Sequence, residues 1–300
     1  MTAQVPVSHA LVFVAAERTA YFEAVRALGR VAHARGLPPP AVLSGWEAAE
    51  WVFPSVDSTL LDEARAAIDG LPVDFALIPD EGRRKRLLVA DMDSTIINVE
   101  CLDELADFAG LKDKIAAITE RAMRGELVFE DALKERVAML KGLSTSALQL
   151  CYDERVKLNP GARTLVSTMI KHGARAVLVS GGFTFFTERV AGAAGFDANF
   201  ANTLLTNGDT LSGEVALPIL GRAAKLDTLQ REASALGAAA RDALALGDGA
   251  NDLDMIKAAG LGLAYRAKPI VAAEADAEIA HTSLETVLFF QGYRRSEFAA

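Results

Sequence analysis

Cysteine is nearly absent: the 300 residues contain Cys101 and Cys151 only, and neither belongs to a C-x-x-C pair. Two are too few for a disulfide framework, and each reads as a small buried apolar residue. Positive charge is also short, with 31 Lys and Arg against 40 Asp and Glu and a formal net charge of -9. That balance excludes nucleic acid or an anionic membrane as the main partner, because both repel an acidic chain. It would repel an anionic substrate at long range too. A phosphate site here must therefore supply local positive charge, which a bound cation does. No apolar run approaches the roughly 18 residues needed to span a bilayer. The start Met-Thr-Ala-Gln lacks a basic segment followed by an apolar core, so no signal peptide is expected and the expected location is cytoplasmic. The four histidines, His9, His33, His172 and His281, are scattered, and none is assigned as a metal ligand.

What is present is ample apolar material, 51% of the chain, enough for one large domain and a smaller one. A charged connector, residues 80–86, divides two patterns. Before it, strands at His9–Ala15, near Val42 and Trp51, and at 73–78 alternate with helices at 19–35 and 58–69, the second with Ser58 as N-cap. The order strand-helix-strand-strand-helix-strand predicts a small α+β domain of ferredoxin-like type over residues 1–82. After it, 86–90, 175–180, Ala243–Gly247 and 261–264 are short apolar runs typical of strands buried on both faces of a parallel sheet. Helical patterns between several of them predict a doubly wound α/β domain over 83–300. Two insertions are expected, a four-helix cap over 98–158 and a hairpin flap over 198–217 signalled by Thr-Asn-Gly-Asp. Lids of this kind exclude water from a reacting phosphate.

Three segments fall at predicted strand ends, where ligands of such sheets bind. In Asp91-Met92-Asp93-Ser94-Thr95, two carboxylates two residues apart are costly unless a cation holds them. Phosphoryl transfer uses such a pair, one as nucleophile and one as acid and base. A calcium loop does not fit, since its sixth position would be Ile96 and its twelfth Leu102. Glycines in Ser180-Gly181-Gly182 would let backbone approach an anion, although glycine after a strand is also an ordinary turn residue. In Gly247-Asp248-Gly249-Ala250-Asn251-Asp252, Asp248 suits Mg²⁺, while Asn251 and Asp252 suit helix caps equally well. Lys225, at the start of a helix over 223–236, is either a phosphate clamp or a solvated lysine.

In this order the four elements resemble the motifs of the haloacid dehalogenase superfamily of phosphatases. The insertion, with Glu100, Phe129-Glu130-Asp131-Ala132-Leu133, Arg136 and Leu140-Lys141-Gly142-Leu143, is similar to that of its phosphoserine phosphatase branch. The resemblance covers roughly residues 84–290. The weakly matching N-terminal region is often an ACT-like regulatory domain in that branch.

The resemblance implies that O-phosphoserine is hydrolysed in the last step of serine biosynthesis, through an aspartyl-phosphate on Asp91. Asp93 would serve as acid and base. Mg²⁺ would be held by Asp91, Asp248 and the backbone carbonyl of Asp93. Ser180, Gly181 and Lys225 would hold the phosphate, with Asn251 also at the substrate, and Asp252 would orient Lys225. Glu100 would take the ammonium and Arg136 the carboxylate, between apolar walls from Phe129 and Met123. The alternatives are a related phosphatase or phosphotransferase acting on another small phosphomonoester, and a non-catalytic amino-acid sensor. The retained Asp91, Asp93, Asp248 and Lys225 speak against the sensor. A homodimer is compatible with the resemblance.

Overall fold

The computed structural model describes residues 7–123 and 126–299, without the side chains of Glu120, Ala122 and Met123. The proposed wall at Met123 therefore lies outside the described side chains.

The N-terminal unit comprises β1 (His9–Ala15), α1 (Arg18–Ala34), β2 (Ala41–Ser44), β3 (Ala48–Phe53), α2 (Leu60–Ala67) and β4 (Val73–Pro79). Its strands lie in the antiparallel order β2-β3-β1-β4, the arrangement that two right-handed βαβ crossovers produce. Ala20, Tyr21, Ala24, Leu28 and Ala32 recur at helical spacing on α1 and bury against Leu11, Phe13 and Trp51. The start of α2 differs from the sequence expectation. Thr59, not Ser58, precedes it, and Asp57 Oδ1 accepts the N–H groups of Thr59 (2.9 Å) and Leu60 (3.0 Å). A carboxylate two or three residues upstream satisfies those donors and displaces the serine as cap.

The larger unit begins with β5 (Leu87–Ala90), then α3 (Cys101–Phe108), α4 (Lys112–Met123), α5 (Phe129–Met139), α6 (Ser146–Arg155) and α7 (Ala162–Lys171). It continues through β6 (Arg175–Phe183), α8 (Thr184–Ala194), β7 (Ala198–Asn202), β8 (Leu204–Asn207), β9 (Thr210–Val215) and α9 (Arg222–Ala235). The remaining elements are β10 (Ala243–Gly247), α10 (Leu253–Ala258), β11 (Leu261–Tyr265), α11 (Pro269–Ala272), β12 (Ala277–Ile279) and α12 (Thr286–Phe290). Six strands pair in parallel in the order β12-β11-β10-β5-β6-β7. All residues of β5, β10 and β11 are buried, which is why those segments read as unbroken apolar runs. The chain leaves β5 toward β6 and returns on the other side at β10, so β5 stands at the topological switch point.

Two boundaries differ from expectation. β6 runs on through Gly181 and Gly182 to Phe183, three residues past the expected end at Ser180, and its pairing to β7 is irregular between Val179 and Phe183. Residues 198–202 are the outermost strand of the parallel sheet, and only β8 and β9 form the hairpin. The hairpin also belongs to the helical insertion. Gly142 N donates to Leu211 O (2.9 Å), Leu211 N to Leu143 O (2.8 Å) and Thr145 N to Asp209 O (2.8 Å). Helices α3–α6 and the hairpin thus make one lid. No described helix is long and apolar enough to cross a membrane.

Candidate active site

Asp91 follows the last residue of β5, and its N–H continues the sheet by donating to Leu246 O (2.9 Å). The chain then turns sharply through Ser94, held at φ 55°. This turn sends Asp93 toward β6 and the lid. Its Oδ1 accepts Cys101 N–H (2.9 Å) and its Oδ2 the Ser180 hydroxyl (2.9 Å), while Ser180 Oγ accepts Gly182 N–H (2.8 Å). From the other side, Lys225 reaches under the floor of the site. It is 1% exposed and donates to Asp91 Oδ1 and Asp252 Oδ1, both at 2.6 Å. Asp252 Oδ2 accepts the N–H groups of Asp248 (3.2 Å) and Gly249 (3.0 Å), and Thr95 Oγ1 donates to Asp248 Oδ1 (3.2 Å).

Carboxylate oxygens of Asp91, Asp248 and Asp252 lie within 4.8 Å of one another. With Asp93 nearby, four carboxylates gather around one lysine. Burial, then the charge of Asp252, raises the proton affinity of Asp91 well above that of an ordinary carboxylate, against the pull of Lys225. Burial raises Asp93 as well, opposed by the Cys101 and Ser180 donors, and burial followed by Asp252 lifts Asp248 to about 6. Burial alone would lower Lys225, but the charges of Asp252 and Asp91 outweigh it and hold the ammonium protonated. The surplus of negative charge and the purely oxygen donor set are those of a hard divalent cation site. Asp252 is committed to Lys225 and two backbone donors, which leaves Asp91 and Asp248 as the carboxylates free to bind a cation.

These groups form one end of a cavity of about 370 Å³, a size suited to a small molecule. Ser180, Gly181 and Asn251 line it as well, whereas Lys225 and Asp252 lie beneath it. A Cβ on Gly181 would sit 3.1 Å from the Phe129 ring, so a glycine lets the lid approach this closely. The lid supplies the opposite end, with Glu100, Asp103, Thr119, Phe129, Leu133 and Arg136. Glu100 directly precedes α3 and accepts the Ser94 hydroxyl at 2.7 Å. Its burial and the charge of Asp93 lift it to about 7. Arg136 donates to Ala132 O (3.1 Å) and Thr119 Oγ1 (3.4 Å); among the described residues no carboxylate lies within salt-bridge distance of it. Burial lowers its proton affinity, offset by Asp103 and Glu100.

Met123 apart, whose side chain is not among the described ones, the sequence-derived candidates thus fall in or directly beneath one cavity. Three residues escaped the sequence reading: Asp103, Thr119 and Lys268. Asp103 stands one helical turn from Glu100, a spacing that was available in the sequence. Lys268 follows β11, whose carboxyl end was already expected to face the ligand.

A buried carboxylate pair at the switch point of a parallel sheet, a lysine bridging Asp91 to Asp252, and a helical lid over a small-molecule cavity define an enzyme of the aspartate-based hydrolase type. Residues 88–257 match the family model for haloacid dehalogenase-like hydrolases, and the chain belongs to that family. A phosphoserine phosphatase of Polaromonas sp. is 44% identical over 208 residues, 68% of this chain and 88% of that protein. A phosphoserine phosphatase of Streptomyces coelicolor is 42% identical over 256 residues, 84% of this chain; the chain spans 62% of that longer relative. Among solved structures, a phospho-aspartyl intermediate analogue of phosphoserine phosphatase matches with a TM-score of 0.64 and 36% identity, over 69% of this chain and 98% of that one.

Proposed function

We propose that the protein hydrolyses O-phosphoserine to serine and phosphate, the closing step of serine biosynthesis in the cytoplasm, through a covalent phosphoryl group on Asp91. One observation carries the choice of substrate. One small cavity joins the Asp91–Lys225 centre at one end to Glu100 at the other, beside Arg136, which has no carboxylate partner among the described residues. Those two ends match a phosphate at one side of a small molecule and an ammonium and carboxylate at the other. The names of the relatives agree with it.

In the first half-reaction an Asp91 oxygen attacks phosphorus and the bond from phosphorus to the serine oxygen breaks. Asp93 delivers its proton to that leaving oxygen, a role that its buried, raised proton affinity supports. In the second, Asp93 takes a proton from water as the water oxygen attacks phosphorus, and the Asp91–phosphorus bond breaks. Lys225, the Gly181 N–H and the Ser180 hydroxyl stabilise the charge on the transferring group. Ser180 has one proton to donate, and it rests on Asp93. On binding phosphate it turns that proton to the substrate and releases Asp93 for acid catalysis. Asp91 and Asp248, with the Asp93 carbonyl, would hold Mg²⁺, which supplies charge neutralisation for the phosphate when bound.

The test is turnover across a panel of phosphomonoesters with Mg²⁺ and with EDTA, for wild type and Asp91→Asn. Phosphoserine is expected to be the best substrate, and the variant to lose at least about 1,000-fold in kcat. Residual activity near wild type removes Asp91 as nucleophile. Preference for another ester, or transfer to added homoserine in place of hydrolysis, removes the phosphoserine hydrolase reading.

A further inference from the structure

The cavity that must receive a phosphate dianion is itself acidic. Asp91, Asp93, Glu100, Asp103 and Asp248 line it, against Arg136 and Lys268. Arg136 is at the lid end, and Lys225 is sealed beneath the floor. Among the described residues, Lys268 is therefore the cation at the phosphate end that lines the cavity and also reaches solvent. Among the described residues it has no carboxylate within salt-bridge distance. Its position is built by the fold. Arg266, directly after β11, adopts φ 45°, a left-handed conformation that is strained for a side chain of this size. Two residues later Lys268 N–H donates to Asp248 O (3.1 Å), tying the loop to the Asp248 turn. The electrostatic reach of the ammonium extends to Asp248.

We propose that Lys268 is a capture cation, drawing the substrate phosphate past the acidic rim of the cavity toward Asp91. The inference rests on the phosphomonoesterase reading but not on the identity of the alcohol, since the phosphate alone is recognised. A solvated lysine of no function would have the same exposure. It would not need a strained, hydrogen-bonded loop that places it over the phosphate end of an acidic cavity. The effect of an exposed charge on an approaching dianion is long-ranged and screened by salt.

The experiment compares wild type, Lys268→Ala, Lys268→Glu and Lys268→Arg on both phosphoserine and p-nitrophenyl phosphate. Ionic strength is varied from about 20 mM to about 500 mM, across which the Debye length falls severalfold. At low salt the alanine variant should lose about three- to tenfold in kcat/KM on both substrates, and the glutamate variant more. At high salt the curves should converge, and arginine should restore most of the loss. The larger part of the change is expected in KM. An alanine variant equal to wild type at low salt overturns the proposal. So does a loss that is the same at every ionic strength, which would mark Lys268 as a structural residue. If wild type turns over p-nitrophenyl phosphate but not phosphoserine, the substrate reading falls, and the variant ratios on the former still decide the role of Lys268.

Discussion

Glu100 and Arg136 carry the choice of substrate, and their environments make that choice testable by pH. Glu100 is lifted to about 7 by burial, then by Asp93. Its carboxylate must be ionised to hold an ammonium. Since this proton affinity lies above the usual carboxylate value, the ionised fraction is lost as pH falls through about 7. KM for phosphoserine should therefore rise as pH falls from 8 to 6, and Glu100→Gln should raise KM at pH 8 and flatten the profile. A profile in the variant that parallels wild type would assign the titration to another group. Arg136→Ala should lower kcat/KM for phosphoserine by roughly thirty- to several-thousand-fold, the range for losing one partner of a desolvated charge pair. Hydrolysis of p-nitrophenyl phosphate, which has neither group, should change far less; equal losses would place both residues in support of the lid. The legibility of this site was uneven, and for physical reasons. Asp91, Asp93 and Asp248 could be placed because apolar strands end immediately before the turns that carry them. Lys225 looked better suited to solvent by its position alone, since only the tertiary packing of α9 on the sheet shows that its helix face is buried.

Individual elements were legible where local pattern decides them and obscure where distant partners do. The lid helices followed from their 3.6-residue period, but nothing local joins residue 142 to residue 211. That junction depends on Gly213 in β9, with φ +84° and an ideal Cβ that would lie 2.9 Å from Lys141 Cβ and 3.3 Å from Ala138 O. Only glycine lets the hairpin lie against α5 here. Gly213→Val should therefore loosen the lid at a cost of roughly 1–3 kcal/mol. Limited proteolysis should cut first within 203–217, and kcat/KM should fall severalfold as water enters the closed site. Wild-type protease resistance in the variant would show that the hairpin is held by its other contacts.

At the scale of the whole molecule, the N-terminal unit shares one buried apolar cluster with the larger unit. Alternation along β1 divides its side chains: Leu11 and Phe13 face α1 and α2, whereas Ala10, Val12 and Val14 join the core that contains Val287, Leu288 and Phe289. The sequence shows β1 as an apolar strand, but not that the sheet's second face is covered by α12. The charged segment 80–86 is likewise a seam as well as a connector. Arg83 pairs with Glu50 (2.6 Å), Arg84 with Glu297 (2.9 Å), and Lys85 N donates to Gln291 Oε1 (2.9 Å). Arg295 bridges Glu47 and Glu285. At the centre of the seam the buried Asp74 of β4 accepts the N–H groups of Ala280 (2.9 Å), His281 (3.1 Å) and Thr282 (2.9 Å) and the Thr282 hydroxyl (2.5 Å). Three backbone donors aimed at one carboxylate are a costly arrangement to leave without an acceptor. Asp74→Ala should therefore cost about 3–5 kcal/mol, above the roughly 0.5–3 kcal/mol of most single substitutions. If the two units unfold together, as a shared core implies, wild type gives a single thermal transition and the loss appears as one shift in Tm. Asp74→Asn, which keeps an acceptor oxygen, should recover part of it. Two separate transitions in wild type, with only the earlier one moved by Asp74→Ala, would mean that the N-terminal unit folds independently and that the seam is a contact between domains without being part of a common core.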